Sequence, residues 1–170
     1  RMLFKINELI VYGNSGVCKV KDIYAQDGER LYYKLEPVFE KCVIFVPADT
    51  KIFMRPVISR DEALRLIDRL PLLEISLPAV HNNRELTEYY KTKFSLHSCE
   101  DLGAMIKTIH TKISGQTAIG KKPCQTDLKY IKKAEELLYG ELSVVLDIPV
   151  DNVPEFIEKT LSSREPQKVC

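Results

Sequence analysis

The residues best suited to chemistry lie between positions 107 and 133, a stretch with seven lysines and a single acid, Asp127. Lys129, Lys132 and Lys133 have the i, i+3, i+4 spacing that places side chains on one helix face. Ammonium groups clustered in this way can bind phosphate oxygens without reading base sequence. The stretch is therefore either a phosphate-binding surface or an ordinary solvated helix face.

Within this stretch, residues 115–122 read Gly-Gln-Thr-Ala-Ile-Gly-Lys-Lys and nearly match the nucleotide-binding loop G-x-x-x-x-G-K-[ST]. Position 122 is lysine, so the hydroxyl group that would bind magnesium is missing. The motif also needs a strand before it and a helix directly after it, whereas a helical pattern precedes this segment. We therefore expect no nucleotide binding at this loop.

The histidines and cysteines do not have the spacing of a metal site or of a nucleophile and its base. No Cys-x-x-Cys pair occurs, and neither His97 nor His110 has a cysteine pair nearby. The acid pair Glu135–Glu136 is adjacent, and adjacent side chains diverge on a helix. We therefore expect no enzymatic activity, no metal, no cofactor and no small-molecule substrate. The cysteines are expected to be free thiols in a reducing cytosol: Cys18, Cys42, Cys99, Cys124 and Cys170.

Composition describes an ordinary globular chain of 170 residues, 45% hydrophobic and with a net charge of +1. A near-neutral total excludes a uniformly cationic DNA coat, but it hides an uneven distribution. After residue 133 there are eight acids and only three bases, so the basic stretch is followed by an acidic end. No apolar run approaches the roughly 20 residues of a membrane span, and the start lacks a signal-peptide pattern. The expected location is the cytoplasm.

Short strands dominate residues 1–58. Apolar and alternating segments at residues 8–12, 17–24, 30–35, 41–46 and 51–54 are separated by turn residues such as Gly13-Asn-Ser-Gly16. Five short strands joined by tight turns predict a small SH3-like or Tudor-like β-barrel, in which closure protects the edges of the sheet.

Helical patterns fill residues 59–170. Ser59, Asn82 and Ser98 precede apolar residues at helical spacing, and each fits the position of a helix N-cap. A loop is expected at residues 114–124, followed by a long helix capped by Thr126 and a short helix capped by Asp151. The fold class is thus α+β in two domains, a β-barrel at 1–58 and an all-α helical bundle at 59–170 with a frayed tail from about residue 162.

Four segments in chain order resemble the CarD-like family of bacterial transcription regulators. They are residues 4–20 (Phe-Lys-Ile-Asn-Glu-Leu-Ile-Val-Tyr-Gly-Asn-Ser-Gly-Val-Cys-Lys-Val), 46–49, 54–59 and 134–142. The first segment is also similar to the polymerase-binding module of transcription-repair coupling factors, but this chain has no helicase motor.

The resemblance implies binding to the β subunit of RNA polymerase through the β domain. It also implies contact between the helical domain and promoter DNA at the upstream edge of the melted bubble, which would stabilise the open complex and place the protein at the nucleoid. The residues expected to bind polymerase are Gln26, Val43, Ile44, Phe45, Val46 and Pro47. Family members often carry arginine at the position of Phe45 and near Gln26, so this contact is expected to be more apolar here.

Family members also place a tryptophan wedge in the minor groove at the fork, and this chain has no Trp. The wedge position falls on or near Leu86, which is either a weaker apolar wedge or a core residue. The complete set expected to contact DNA is Arg84, Leu86, Lys91, Lys93, Lys107, Lys121, Lys122, Lys129, Lys132 and Lys133. The alternative function is a β-barrel adaptor with a helical appendage that binds another protein or RNA away from promoters.

Overall fold

A computed structural model describes residues 3–164 of the chain. It divides into two compact units, Arg1–Ile58 and Ser59–Cys170, called here the β unit and the helical unit. Residues 165–170, which include Cys170 and most of the predicted tail, lie outside the described residues. The overall class is α+β, an antiparallel sheet followed by helices.

The β unit is one five-stranded antiparallel sheet in the order β4-β3-β2-β1-β5. Its strands are β1 (Leu9–Tyr12), β2 (Gly16–Gln26), β3 (Arg30–Pro37), β4 (Ile44–Pro47) and β5 (Met54–Pro56). Three-residue turns join β1 to β2 and β2 to β3, longer connections lead to β4 and β5, and β5 returns to pair with β1.

The predicted closed barrel is not confirmed, because the sheet has β4 at one end and β5 at the other, without a pairing between them among the described residues. The sequence could indicate the number of strands but not closure, which depends on the curvature of the sheet. The fourth strand also begins later than predicted, since residues 41–43 precede Ile44–Pro47 as non-strand chain. The sheet therefore keeps an open edge along β4.

One face of the sheet forms the core of the β unit. Tyr33, Leu35 and Val46 alternate with solvent-facing neighbours and are all buried. The remaining buried members of this core come from the first two strands: Ile10, Tyr12, Cys18 and Val20. Gly13 lies at φ +46 in the turn between β1 and β2, where a Cβ would approach the Ile52 side chain to 2.9 Å.

Between residues 59 and 164 the helical unit contains five α-helices: α1 (Arg60–Arg69), α2 (Asn83–Phe94), α3 (Cys99–Ala118), α4 (Gln125–Leu146) and α5 (Val153–Ser163). The predicted N-caps of the first three are confirmed. Ser59 accepts a hydrogen bond from the Glu62 N–H, as Asn82 and Ser98 do from residues three positions later.

Three predicted helix boundaries are wrong. Helix α3 continues through Gly115, inside the predicted loop, and ends where the Gly120 N–H bonds to the Thr117 carbonyl and the Lys121 N–H to the Gln116 carbonyl. These two bonds form a Schellman motif, and Gly120 supplies the positive φ that it requires. Helix α4 is capped by Cys124, not Thr126, and α5 follows Asn152, not Asp151, and extends to Ser163.

Candidate protein-docking edge and basic surface

The β4 strand presents an unpaired edge of the sheet. Its register with β3 pairs Val46 with Tyr33 and Phe45 with Lys34. Ala48 continues the ladder by donating to the Leu31 carbonyl at 2.8 Å. Because backbone groups alternate along an antiparallel strand, the N–H and carbonyl of Phe45 face away from β3 and towards the open edge. A further strand could add to the sheet there.

The residues predicted to bind polymerase divide between this edge and the core. Phe45 is 60% exposed and Val43 is 45% exposed, so both can contact a partner. Ile44 and Pro47 are half-buried, and Gln26 is exposed at the end of β2, with β3 between it and β4. Val46 is only 4% exposed and packs in the core of the β unit, so its side chain supports the strand and does not face a partner.

Sequence reasoning missed an aromatic row on the solvent face of the sheet, formed by Tyr24 on β2, Tyr32 on β3 and Phe45 on β4. The rings of Tyr24 and Tyr32 are stacked with centroids 5.8 Å apart, and Tyr24 meets Phe45 edge-on at 6.4 Å. Arg30 lies over the Tyr32 ring at 5.6 Å and also pairs with Asp49 at 3.3 Å. The alternation of residues along each strand could have indicated which face these aromatic side chains occupy, because each is adjacent in sequence to a residue of the core face.

The predicted DNA-contacting lysines are mostly exposed in the helical unit. Two of them, Lys121 and Lys122, follow the end of α3, and the others on α4 begin one turn into the helix. The Thr126 hydroxyl group lies 2.5 Å from Asn83 Oδ1, so the starts of α2 and α4 meet. This contact brings Arg84 to the same end of the unit as the α3–α4 loop, although these residues are distant in sequence. The exposed members are Arg84, Lys91, Lys121, Lys122, Lys129 and Lys132, with Lys93 and Lys133 half-buried.

Lys107 is already engaged in the fold, which disfavours its predicted phosphate contact. Its Nζ donates to the carbonyls of Pro71 at 2.6 Å and Leu73 at 2.8 Å, and reaches that of Leu70 at 3.5 Å. The carbonyls belong to the 3-10 turn after α1, whose ends lack partners within the helix. Lys107 thus ties α3 to the chain that follows α1.

Leu86 is buried on α2, with only 5% of its surface exposed. Tyr90, one turn later, is 1% exposed, and its ring lies 5.1 Å from that of Tyr130 on α4. A side chain enclosed in this way cannot reach a base step while the helical unit stays folded. The burial favours the core alternative over the wedge.

A buried polar cluster of Tyr90, Lys112 and Asp127 joins α2, α3 and α4. The Tyr90 hydroxyl group donates to Asp127 Oδ1 at 2.6 Å, and Lys112 Nζ lies 2.9 Å from Oδ2. Burial raises the pKa of Asp127, but the bonds from Tyr90, Lys112 and Cys124 outweigh it and leave that pKa below its usual value. Burial and then the bond to Asp127 raise the pKa of Tyr90. Asp127 is thus the anion of a structural cluster, and Lys112 is committed to it.

None of the four described cysteines forms a disulfide, and no group of metal-binding side chains gathers among residues 3–164. Cys18 is buried, and burial, followed by its neighbours Cys42 and Glu40, raises the pKa of its thiol to about 11. A thiol with so high a pKa stays protonated and unreactive at neutral pH. Cys124 instead caps α4, where its sulfur accepts the Asp127 N–H at 3.4 Å.

The near match to the nucleotide-binding loop is the last turn of α3 and its C-terminal cap. Helix therefore lies where the motif requires a strand. Across the described part of the chain, no helix is both long and apolar enough to cross a membrane.

In a comparison with known families, residues 4–58 match the CarD-like/TRCF RID domain. The match covers the strands of the β unit and stops before α1. No curated protein matches the chain significantly.

Proposed function

We propose that the protein regulates transcription initiation by binding the RNA polymerase β subunit and promoter DNA. The proposal starts from the match of residues 4–58 to the CarD-like RNA polymerase-interacting domain. The domain family points to RNA polymerase as a partner and to transcription regulation. The observation that carries the docking proposal is the open β4 edge with its exposed Phe45. Such an edge supplies main-chain hydrogen bonds for affinity, and side chains such as Phe45 supply specificity.

The helical unit is proposed to hold promoter DNA at the upstream edge of the bubble. Support comes from the exposed cations gathered at the starts of α2 and α4, which suit contact with phosphates. A protein that binds the open complex more tightly than the closed one shifts that equilibrium. A difference of about 1.4 kcal/mol would shift it tenfold. The proposed protein carries out no covalent chemistry, needs no cofactor, and works in the cytoplasm on the nucleoid.

A pull-down from bacterial lysate with the full chain tests the partner, followed by direct binding to purified β subunit. Retention of the β subunit supports initiation control. Retention of other proteins or RNA, with no β subunit, would favour the adaptor function instead.

Substitutions on β4 are expected to weaken polymerase binding without unfolding the β unit. Phe45→Ala removes an exposed apolar contact, and Val43→Lys places a charge beside the edge, so neither disturbs the core. We expect about a tenfold or larger loss of affinity for the β subunit, measured by biolayer interferometry, as for a residue central to an interface. Ile52→Ala, an equally exposed apolar residue next to β5, is the control. Unchanged affinity in both β4 variants would place the docking surface elsewhere.

Replacing Lys129, Lys132 and Lys133 together by Gln is expected to flatten the salt dependence of DNA binding. Each lost phosphate contact lowers the slope of log affinity against log salt by about 0.9. The control removes the same charge at Lys41, Lys51 and Lys159. Fluorescence anisotropy with several duplex sequences between 50 and 300 mM salt gives the slope for wild type and for each variant. An equal slope in wild type and in the Lys129, Lys132 and Lys133 variant would mean that these lysines do not contact DNA phosphates.

A further inference from the structure

The aromatic row ends at the open edge of the sheet, and this placement bears on what can dock there. Tyr24, Tyr32 and Phe45 stand on three successive strands and on the same face. Side chains on that face lie next to one another across strands about 4.8 Å apart. The next side chain in the row would therefore come from a strand added to β4, and it would contact the Phe45 ring.

The charges around the row are only partly paired, because Lys34, directly opposite Phe45 on β3, forms no ion pair among the described residues. Arg30 forms an ion pair with Asp49 while covering Tyr32, and Lys21 pairs with Glu36 at 3.7 Å on the same sheet. The side chain nearest to a residue docked opposite Phe45 is the Phe45 ring, and an apolar partner side chain would meet its face or edge directly. An acidic partner side chain would have to reach past this ring to Lys34 or displace one of the two ion pairs. The local charge is also too balanced for the cationic groove that single-stranded nucleic acids require.

We propose that the aromatic row recognises one apolar side chain, aromatic or aliphatic, on the strand that docks at β4. The contact deepens the proposed function, because it describes the segment of the polymerase β subunit that the edge would accept. The main-chain bonds of strand addition fix the orientation, and the row selects the side chain. Since the selected side chain is uncharged, the affinity is expected to depend little on salt.

The first experiment measures binding of full-length variants to purified β subunit. Tyr24→Ser removes the ring farthest from the edge and leaves the backbone of β4 unchanged, and Ile52→Ser is the matched control. We expect Tyr24→Ser to bind about fivefold more weakly at an unchanged melting temperature, and affinity to vary less than about twofold between 100 and 500 mM salt. Wild-type affinity in Tyr24→Ser, or a steep salt dependence, would overturn the proposal while leaving polymerase binding itself intact.

The second experiment does not require polymerase. Capped peptides Thr-Val-Thr-X-Thr-Val-Thr, with X as Phe, Leu, Ser or Glu, are titrated into the isotopically labelled full chain. We expect the Phe and Leu peptides to shift the Phe45 and Tyr24 resonances at about fivefold lower concentration than the Ser and Glu peptides. Equal or better binding of the Glu peptide, or tighter binding of an oligothymidine to the same resonances, would overturn the proposal. If wild type fails to bind the β subunit but discriminates among the peptides, the proposed function falls and this inference stands.

Discussion

Asp127→Asn is expected to lower the free energy of unfolding of the helical unit by about 3 kcal/mol, the lower end of the range for breaking a buried ion pair. The carboxylate is fully buried and receives Tyr90 and Lys112 from two other helices. The amide would leave the Lys112 ammonium group without its counter-charge. That side chain is 25% exposed, so partial hydration moderates the loss.

Chemical denaturation at pH 7 measures this effect, with Glu136→Gln as the control because Glu136 is an exposed acid on the same helix. The control should change stability by less than about 0.5 kcal/mol. Tyr90→Phe removes only the hydroxyl donor and should cost about 1.5 to 3 kcal/mol, as expected for a hydrogen bond to a charged group. Wild-type stability in Asp127→Asn would mean that the cluster contributes nothing.

The same pair of proteins gives a pH dependence whose sign follows from the lowered pKa of Asp127. A carboxylate with a depressed folded-state pKa contributes stability above its unfolded pKa of about 3.9, and the contribution is lost as pH falls through the folded-state value. The difference in unfolding free energy between wild type and Asp127→Asn should therefore be constant from pH 7 to 5 and shrink below about pH 4. A difference that grows on acidification would contradict the lowered pKa.

Leu86→Ala is expected to cost about 2 to 5 kcal/mol, the range for truncating a buried leucine. The side chain is one of the three buried residues of α2 and is only 5% exposed. Leu72→Ala is the matched control, since Leu72 is 80% exposed and should be nearly neutral. Leu86→Trp should also destabilise, because the larger ring would overpack the bundle.

The wedge alternative forecasts the opposite for Leu86. If the side chain entered the fork, Leu86→Ala would keep its melting temperature and shorten the lifetime of the open complex, and Leu86→Trp would lengthen that lifetime. Thermal melts read beside promoter-complex half-lives separate the two. A strongly destabilised Leu86→Ala protein removes the wedge for this residue, and the fork contact would then come from elsewhere in the helical unit.

Local sequence was sufficient to place most of the elements. The first three strands and the starts of the first three helices follow from alternation, turn residues and side-chain caps, which act within three or four residues of one another. The last two strands were placed less well: β4 begins three residues later than predicted, and β5 (Met54–Pro56) overlaps the predicted 51–54 only at Met54. The errors also have local causes. An isolated glycine, Gly115, costs a helix only about 1 kcal/mol, so it did not end α3. Cys124 acts as a cap although cysteine is outside the residues usually preferred there.

The sequence predicted the candidate docking strand β4, but it could not show that β4 is an edge strand. An apolar run ending at Pro47 indicates a short strand, and Phe45 within it was a candidate for contact. The same apolar run would be compatible with a central strand or an edge strand. Only the strand order of the folded sheet shows that β4 is at its edge. The aromatic row was not predicted, because Tyr24 and Phe45 meet only after three strands are paired.

Charge composition alone determined that the chain has a basic stretch and an acidic end, since this property needs no contacts. Tertiary structure decided what each charge does. Lys107 and Lys112 look like their neighbours in sequence, yet one binds the carbonyls after α1 and the other binds Asp127. Asp127 lies among lysines in the chain, yet it is the buried anion that joins three helices. The physical reason is that the burial and pairing of these side chains depend on which helices pack together. The spacing of residues along one helix does not determine that packing.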